Sequence, residues 1–430
     1  MRLALVMLLW TAFAGAQEAE VRTAPAAPTP PPILRRAAAP VPQGMAAAQP
    51  QGAPLPLYSI GQPTDEEQYY LELINRARAN PTAEGVRLAA TTDPDVTGAY
   101  DAFNVDLNLM KNEFSALAVR PPLAMNEDLM QAARAHSQDM FTNVFQGHGS
   151  TNGDDLGDRA TDAGYNFGSL GENVFSFAES VFHGHAGFEV DWGGGGTGGM
   201  QAGRGHRMNI HGTFREVGIG VVKGTKTAGA TTVGPQLVTQ DFGTAQGATP
   251  LVTGVAYYDL NGNSFYDMGE GIGGLTVTVD GASVQAVTAN TGGYAVPVPA
   301  TNTSRAVTFS GLGVNSGGTA TIAALANAKV DFAPAYVPPT VTGAASASTA
   351  GPSTYNFTVV GGAVSYEWRR ATAAAAVTDT AANLSRVTVV KTGSYSELLS
   401  GRYHLAHATP PTTQSITYNG VFRASNGASV

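Results

Sequence analysis

The sequence predicts an α+β protein, in which a mixed helix-and-strand domain is followed by β-sandwich domains. Three stretches with apolar residues at helical spacing fall within residues 64–245, together with short apolar runs typical of strands. From residue 251 onward, short runs rich in Val and Thr alternate with Gly turns, a pattern that favours a β-sandwich. The 430 residues are enough for about two to four domains.

Composition excludes several classes of function. Lys and Arg number 24 against 33 Asp and Glu, for a net charge of −9. A nucleic-acid-binding surface needs clustered positive charge, so we expect no nucleic-acid partner. The chain has no Cys, which excludes disulfides, thiolate zinc sites and a cysteine nucleophile.

The first 16 residues have the pattern of a secretory signal peptide. Arg2 precedes an apolar core, Leu3 to Phe13, and small residues at 14–16 suit cleavage. The core is shorter than the roughly 20 residues that span a bilayer, and no later run is long enough either. We therefore expect a secreted protein, extracellular or at the cell surface, with no transmembrane anchor.

The elements of the first domain follow a segment at 17–63 that is rich in Ala, Pro and Gln, which predicts a disordered linker. Thr64 and Glu67 form a capping box that opens a helix ending near Asn80-Pro81. Two more helices are predicted, near 126–141 and 178–192, and strand-like runs occupy 218–222 and 236–243.

The second domain is predicted at 251–336, as a small β-sandwich between Pro250 and the linker at Pro338-Pro339. Residues 340–430 give further strand-like runs. We expect a β-rich domain there, and since no closing element follows, an incomplete one.

Six of the eight histidines fall within residues 136–211, which indicates a site because imidazole is a common metal ligand and acid/base group. Four of them have simpler interpretations. His136 lies on an apolar helical stripe and is predicted to be a core residue. His183 is predicted to face solvent, His185 lies on the core face with its role left open, and His211 follows a turn with no expected role.

His148 and His206 stand in contexts that packing alone does not require. His148 lies in FQGHGSTNG, just beyond the second predicted helix, and His206 lies in GRGHRMNI. The stretch 193–205 before His206 contains eight Gly and suggests either a flexible rim or a spacer. Between the two histidines, Glu172 lies in the turn-forming sequence LGEN.

These motifs, in this order and followed by REVGIGVV, resemble the CAP superfamily (cysteine-rich secretory and pathogenesis-related proteins), bacterial extracellular type, over roughly residues 64–245. The resemblance implies an α-β-α sandwich with a cleft that holds two His and two acids. His148, Glu172 and His206 match three of them. The fourth matches Asp191, three residues after Phe188, with Glu189 as the alternative. Many family members rely on disulfides, which this chain cannot form.

Such a tetrad suits a divalent metal such as Zn²⁺, because His148 and His206 offer nitrogen ligands while the acids set their tautomers. With only two strong ligands, the site would be open and of modest affinity. Alternatively, these groups brace the Gly-rich loop through hydrogen bonds. His148, Glu172 and His206 are also the candidates for catalytic acid/base roles, although no H-E-x-x-H or G-x-S-x-G motif is present.

The loop 259–270 has the oxygen spacing of a calcium loop. Side-chain oxygens stand at positions 1, 3, 5, 9 and 12 and a backbone carbonyl is available at position 7, supplied respectively by Asp259, Asn261, Asn263, Asp267, Glu270 and Phe265. Ser264 stands where Gly is usual. With GGLTVTVDG behind it, the region resembles the Ig-like, calcium-binding B-type repeats of bacterial adhesins. An Asn/Gly-rich hairpin without calcium is the alternative.

Together these observations favour a secreted bacterial protein whose CAP head binds a metal or an extracellular ligand (lipid, polysaccharide or protein) and is carried on a calcium-stiffened β stalk. Two alternatives remain. The first is a metal-dependent hydrolase that uses the same tetrad, and the second is an adhesive or structural surface protein with an inactive head.

Overall fold

The computed structural model describes residues 20–23, 55–311, 314–323 and 325–335, and the backbone of short strands between residues 341 and 418. The predicted signal peptide at 1–16 and most of the β-rich domain predicted at 340–430 lie outside the described residues. Within the described part of the chain, no helix combines the length and apolarity needed to span a membrane.

Apart from the helix at Gly205–Ile210, the helices of the first domain begin at side-chain caps. Thr64 and Glu67 form the predicted capping box, and the first helix ends at Asn80. The helices are α1 (Asp65–Ala79), α2 (Pro81–Ala89), α3 (Pro94–Phe103), α4 (Leu107–Ser115), α5 (Glu127–Asn143), α6 (Leu156–Asp162), α7 (Val181–Ala186) and α8 (Gly205–Ile210). A π-helical turn, Gly187–Asp191, continues α7.

Helices α2, α3, α4, α6 and α8 were not predicted. At α2 the reason is that Pro81 was interpreted only as the stop signal of α1. Pro also suits the first turn of a helix, where its missing N–H costs nothing. The Asn80 side chain accepts a hydrogen bond from the amide of Ala83, so one residue both ends α1 and caps α2.

The strands fall into two groups, on either side of residue 250. The first comprises β1 (Glu20–Thr23), β2 (Leu57–Tyr58), β3 (Ala124–Met125), β4 (Phe167–Ala178), β5 (Glu216–Lys223), β6 (Lys226–Ala228), β7 (Thr231–Val233) and β8 (Gln236–Ala245). The second comprises β9 (Leu251–Val255), β10 (Thr276–Val279), β11 (Gln285–Val287), β12 (Gly293–Pro297), β13 (Ser304–Gly311), β14 (Val314–Thr321) and β15 (Ala328–Lys329).

The central sheet of the first domain has the order β1-β4-β8-β5-β3, with only β3 and β5 parallel. Helix α5 packs directly on β5 because Gly218 and Gly220 present no side chain there. A Cβ at these positions would lie 2.0 Å and 2.3 Å from α5 backbone atoms. The opposite face packs against Leu73 and Ile74 of α1. The sheet therefore lies between two helical layers, and the domain is α+β.

The second domain contains a five-stranded sheet, β14-β13-β10-β11-β2, and a three-stranded sheet, β12-β9-β15. Their inner faces share one apolar cluster, to which Val277 and Phe309 contribute from one sheet and Val252 and Val296 from the other. The Ig-like class of this domain stays a prediction.

The two domains share a core. Leu251, Ala289 and Ala295 of the second domain belong to the same buried cluster as Leu71 and Ile74 of α1. At the edge of this cluster the Lys329 Nζ lies 2.9 Å from a carboxylate oxygen of Glu72, whose side chain is 3% exposed. Apolar surface on both domains is therefore buried at their junction, and residues 251–335 pack directly against the first domain.

Parts of the predicted disordered linker are structured. Glu20–Thr23 pairs antiparallel with β4, and Leu57–Tyr58 pairs parallel with β11. Ile60 is buried in the shared core. The linker prediction averaged composition over the whole of 17–63 and missed these short segments, of which the first contains no Pro before Pro25.

Candidate functional site

His148 and Glu172 form the first histidine–carboxylate pair of the site. His148 lies in the loop after α5, and its Nδ1 is 2.7 Å from Oε1 of the fully buried Glu172 on β4. Arg159 of α6 donates to the other carboxylate oxygen and, at 2.9 Å, to the carbonyl of His148. Burial would raise the pKa of Glu172, but the His148 hydrogen bond and the Arg159 charge outweigh it and lower that pKa. Glu172 is therefore a carboxylate at neutral pH.

His206 and Asp191 form the second pair. The Nδ1 of His206 on α8 lies 2.8 Å from one carboxylate oxygen of Asp191, and the His206 backbone N–H donates to the other at 3.1 Å. Asp191 ends the π-helical turn with φ of 58°, in the left-handed region. Both π-turns and left-handed non-Gly residues concentrate at functional sites.

The structure separates the two acids that were alternatives for this role. Glu189 contacts His211, with the histidine Nε2 3.0 Å from its Oε2, while Asp191 contacts His206. Two residues apart on a helical segment, the carboxylates point in different directions. His211, for which no role was expected, is buried and paired.

Both site histidines leave one ring nitrogen free of hydrogen bonds. The Nε2 atoms of His148 and His206 are buried and have no hydrogen-bond partner. A carboxylate only accepts hydrogen bonds, so each Nδ1 carries the hydrogen, and in the neutral ring the Nε2 lone pair is open. Two open Nε2 atoms, each backed by a carboxylate, can bind a cation or accept a proton.

Two asparagines join the pairs to β4. Asn173 donates to the carbonyl of His206 at 3.2 Å, and Asn209 donates to the carbonyl of Glu172 and the side-chain oxygen of Asn173, both at 3.0 Å. Each asparagine belongs to one of the sequence motifs, GEN or GHRMNI. Both pairs are thus anchored at residues 172 and 173.

An aromatic pocket adjoins His206. The Phe188 ring centroid lies 5.5 Å from the His206 imidazole. The lining residues are Val174, Phe175, Gly187, Phe188, Trp192, Gln201 and His206. The His206 ring therefore lies beside a small cleft with mostly apolar walls.

The donor set fits a metal only in part. No group of three or more His, Cys, Asp or Glu side chains among the described residues is arranged to hold a metal ion. Protein ligands for the expected Zn²⁺ would be His148 and His206 alone, with the remaining positions left to water or a ligand.

The remaining histidines of the cluster are buried as well. His136 contacts the Gly147 carbonyl at 2.8 Å and the Ser150 hydroxyl at 3.4 Å, which suits the predicted core role. His185 is also buried, and its Nε2 lies 3.1 Å from the carboxylate of Glu84.

The solvent-facing prediction for His183 is wrong. Its ring lies 5.8 Å from that of Phe175 and 5.3 Å from that of Trp192, and burial lowers its pKa. Because α7 is short and is covered on more than one side, the face opposite its apolar stripe is buried too.

The glycine-rich stretch before α8, interpreted as a flexible rim or a spacer, is exposed at residues 194–197 and packs against the helices at Gly198 and Gly199. Gly193 donates to the Gly199 carbonyl at 3.0 Å, and the Gly198 carbonyl accepts from Asp106 at 2.9 Å. Gly199 has φ of 71°, and a Cβ there would lie 2.3 Å from the Phe103 carbonyl oxygen. Glycine is needed for both reasons, and the loop is fixed against α3 and α4.

Asp241 is a buried acid of the site that the sequence analysis missed. It lies directly opposite Glu172 across β4 and β8, and both of its carboxylate oxygens lack a hydrogen-bond donor. Burial, followed by the charge of Glu172, raises its pKa well above the ordinary value. Asp241 is the only charged residue of the predicted strand sequence QLVTQDFG, which is the signal that could have found it.

Hydrogen bonds among its own side chains and amides hold the predicted calcium loop in shape. Asp259 accepts from the amides of Asn263 and Ser264 at 3.0 and 2.9 Å, and the Asn263 side chain donates to Asp267 at 2.7 Å. Ser264, at the position where Gly is usual, has φ of 59°. Glu270 accepts from the amide of Leu260 at 2.8 Å, which ties position 12 to position 2.

The same loop contacts the first domain. The Phe265 ring lies 6.2 Å from that of Tyr69, and the Arg76 guanidinium lies 4.9 Å over the Phe265 ring. Both partners are on α1.

Comparison with known families identifies the first domain. The model of the cysteine-rich secretory protein family, CAP, matches residues 71–242, a range that includes all four residues of the two pairs. Residues 71–242 are a CAP domain. No curated protein matches the chain.

Among solved structures, the chain is similar to an extracellular protein containing an SCP domain from Bacillus anthracis, with 21% identity over 36% of this chain and a TM-score of 0.22. The alignment spans 44% of that protein's length. A DUF3823 family protein from Bacteroides ovatus aligns with 14% identity over 42% of this chain and 93% of its own, with a TM-score of 0.17.

An arginine holds the loops of this cysteine-free CAP domain. Arg78 of α1 is 1% exposed and donates to the carbonyls of Pro121, Ile210, Gly212 and Phe214 at distances between 2.5 and 3.3 Å. It thereby ties the segment that leads into β3 to the turn after α8. Burial lowers the pKa of Arg78 to about 9.

Proposed function

We propose that the CAP domain binds an extracellular ligand through the Nε2 atoms of His148 and His206, either directly or through a divalent cation such as Zn²⁺. The observation that carries the proposal is that each Nδ1 is held by a buried carboxylate while each Nε2 is buried without a partner. A buried polar atom without a partner costs free energy, which binding would recover. A lipid, a polysaccharide or a protein segment is the candidate ligand outside the cell.

Zinc is the first probe, because neutral imidazole nitrogen suits it and the carboxylates behind the rings raise ligand basicity. We expect the chain from Gln17 onward to bind Zn²⁺ in calorimetry after chelator treatment. His148→Ala and His206→Ala should each abolish this binding. Glu172→Gln should weaken it by about 10–100-fold, since the negative charge that holds the Nδ1–H of His148 is lost. Asp259→Asn, in the second domain, is the matched control and should bind as the parent chain does.

Two results would contradict the metal-assisted form of the proposal. One is zinc binding retained when both His148 and His206 are replaced. The other is an absence of both zinc binding and any shift in melting temperature, which would favour an adhesive protein with an inactive head.

Hydrolysis by the same groups is the second candidate. A histidine whose Nδ1 is held by a carboxylate and whose Nε2 is open can act as a general base. Turnover of an ester or peptide probe that disappears both in His206→Ala and on adding chelator would favour a metal-dependent hydrolase. Turnover that survives chelation would favour metal-free acid/base chemistry.

We further propose that Ca²⁺ binds the loop 259–270 and stiffens the second domain. The support is the spacing of side-chain oxygens on Asp259, Asn261, Asn263, Asp267 and Glu270, together with the Phe265 carbonyl. Calcium should raise the melting temperature of the chain, and Glu270→Gln should remove most of that rise because the bidentate ligand is lost. Glu127→Gln, in the first domain, is the control. An equal rise in both variants would contradict calcium binding here.

A further inference from the structure

One side of β4 is covered by the chain's own N-terminal segment. Along its other side β4 pairs with β8, from Phe167 to Ala178. On the near side the register pairs Glu20 with Glu172, Val21 with Gly171, Arg22 with Leu170 and Thr23 with Ser169. Without this segment, the main-chain groups of 169–172 that face away from β8 would form an open sheet edge, which is a template for pairing with another strand.

The covered edge lies at the candidate site. It includes Glu172, whose side chain holds His148 and whose carbonyl accepts from Asn209 near His206. A strand on this edge therefore runs along the backbone to which both histidine–carboxylate pairs are anchored.

The sequence favours the same segment as the occupant. Residues 17–24 (QEAEVRTA) contain no Pro, whereas Pro25 begins a stretch with many. Pro lacks the N–H that a ladder needs, so the strand cannot extend beyond residue 24. The 31 residues from 24 to 54 can extend over roughly 100 Å, so the segment can reach β4 within one chain.

We propose that the β4 edge at 169–172 is a docking site for an extended peptide, and that Glu20–Thr23 of the same chain occupies it as an intrasteric strand. Pairing of this kind draws its affinity from main-chain hydrogen bonds, so a partner strand of different sequence can take the same register. The tethered segment competes with an incoming peptide at an effective concentration of about millimolar, so a peptide of equal intrinsic affinity must reach a similar concentration to displace it. Cleavage of the predicted signal peptide after Ala16 leaves the strand three residues from a free end, where trimming would release it.

Hydrogen exchange measured by mass spectrometry tests the pairing. The chain from Gln17 is compared with a variant lacking 17–24, with Val21→Pro, and with Ala26→Pro as the matched control outside the strand. We expect amides within 169–172 that face the segment to exchange about tenfold faster or more in the first two variants. The control should match the parent chain. Equal exchange of 169–172 in all four proteins overturns the proposal.

Binding in trans separates the chain's own segment from other occupants. A fluorescent peptide of residues 17–24 should bind the variant that lacks this segment, and should bind the parent chain at least tenfold more weakly because the edge is occupied. Equal binding to both proteins overturns the proposal. Protection of 169–172 that rises with protein concentration, together with dimers in light scattering, would assign the strand to a second copy and overturn the assignment within one chain.

Discussion

Replacing Arg78 with Met tests whether one arginine holds the loops of this cysteine-free domain. Methionine keeps most of the aliphatic stem but removes the guanidinium. The change leaves the carbonyls of Pro121, Ile210, Gly212 and Phe214 without their donor. Ile210 ends α8, which carries His206, and Gly212 and Phe214 follow that helix, so the site should loosen together with the fold.

The magnitude follows from the burial of the group. A hydrogen bond to a charged donor contributes about 1.5–3 kcal/mol net, and Arg78 makes four such bonds. The cost of burying the charge, visible in the lowered pKa, offsets part of that sum. We expect Arg78→Met to lower the free energy of unfolding by roughly 3–5 kcal/mol, the range for removing one partner of a buried charged group.

Urea denaturation at pH 7, followed by the fluorescence of the buried Trp192, measures the loss. Arg120→Met is the matched control, because Arg120 is half-buried and donates to one carbonyl, that of His211, at 2.9 Å. The control should lose about 1 kcal/mol. A loss at Arg78 below about 1 kcal/mol, or no larger than at Arg120, would refute the reasoning.

Three further predictions concern other buried or strained groups. Because the folded-state pKa of Asp241 is raised, the stability of the parent chain relative to Asp241→Asn is fully present below about pH 4 and falls by up to about 1.4 kcal/mol per pH unit as the pH rises toward that raised pKa. The melting temperatures of the two proteins, measured from pH 3 to 8, should therefore diverge, and parallel curves would contradict this. Ser264→Gly should stabilise the calcium-free chain by about 0.5–1 kcal/mol and raise its melting temperature slightly, because φ of 59° disfavours Ser. A lowered melting temperature would count against this. Lys329→Met should lower the free energy of unfolding by about 2 kcal/mol because Glu72 is left buried without its cation. In a double-mutant cycle, adding Glu72→Gln should recover most of that loss, and additive losses would be inconsistent with the pairing.

The site could be predicted from sequence where its residues stand in local contexts that packing does not require. His148 and His206 follow turns and glycine-rich segments, so each was recognisable from a few neighbours. Glu172 was recognisable from the sequence LGEN, although this was interpreted as a turn and lies on β4. The sequence alone did not decide between Asp191 and Glu189 as the second acid. Helical geometry requires the two carboxylates to diverge, but only the fold assigns Asp191 to His206 and Glu189 to His211.

Residues whose environment depends on distant chain segments could not be predicted. Asp241 meets Glu172 only through the register of two strands. His183 was assigned from a helical wheel that assumes one buried face, whereas the structure packs Phe175 and Trp192 on the other. Lys329 reaches Glu72 across the domain boundary, and local periodicity carries no information about that contact.

The junction between the domains has a practical consequence for anyone dissecting this protein. Truncation at residue 245, where the sequence suggests a natural boundary, would remove Leu251, Ala289 and Ala295 from the apolar cluster beneath α1 and would remove Lys329, the cation that pairs with Glu72. Such a fragment would expose this apolar surface and tend to aggregate, so a recombinant form of the first domain should extend to residue 335.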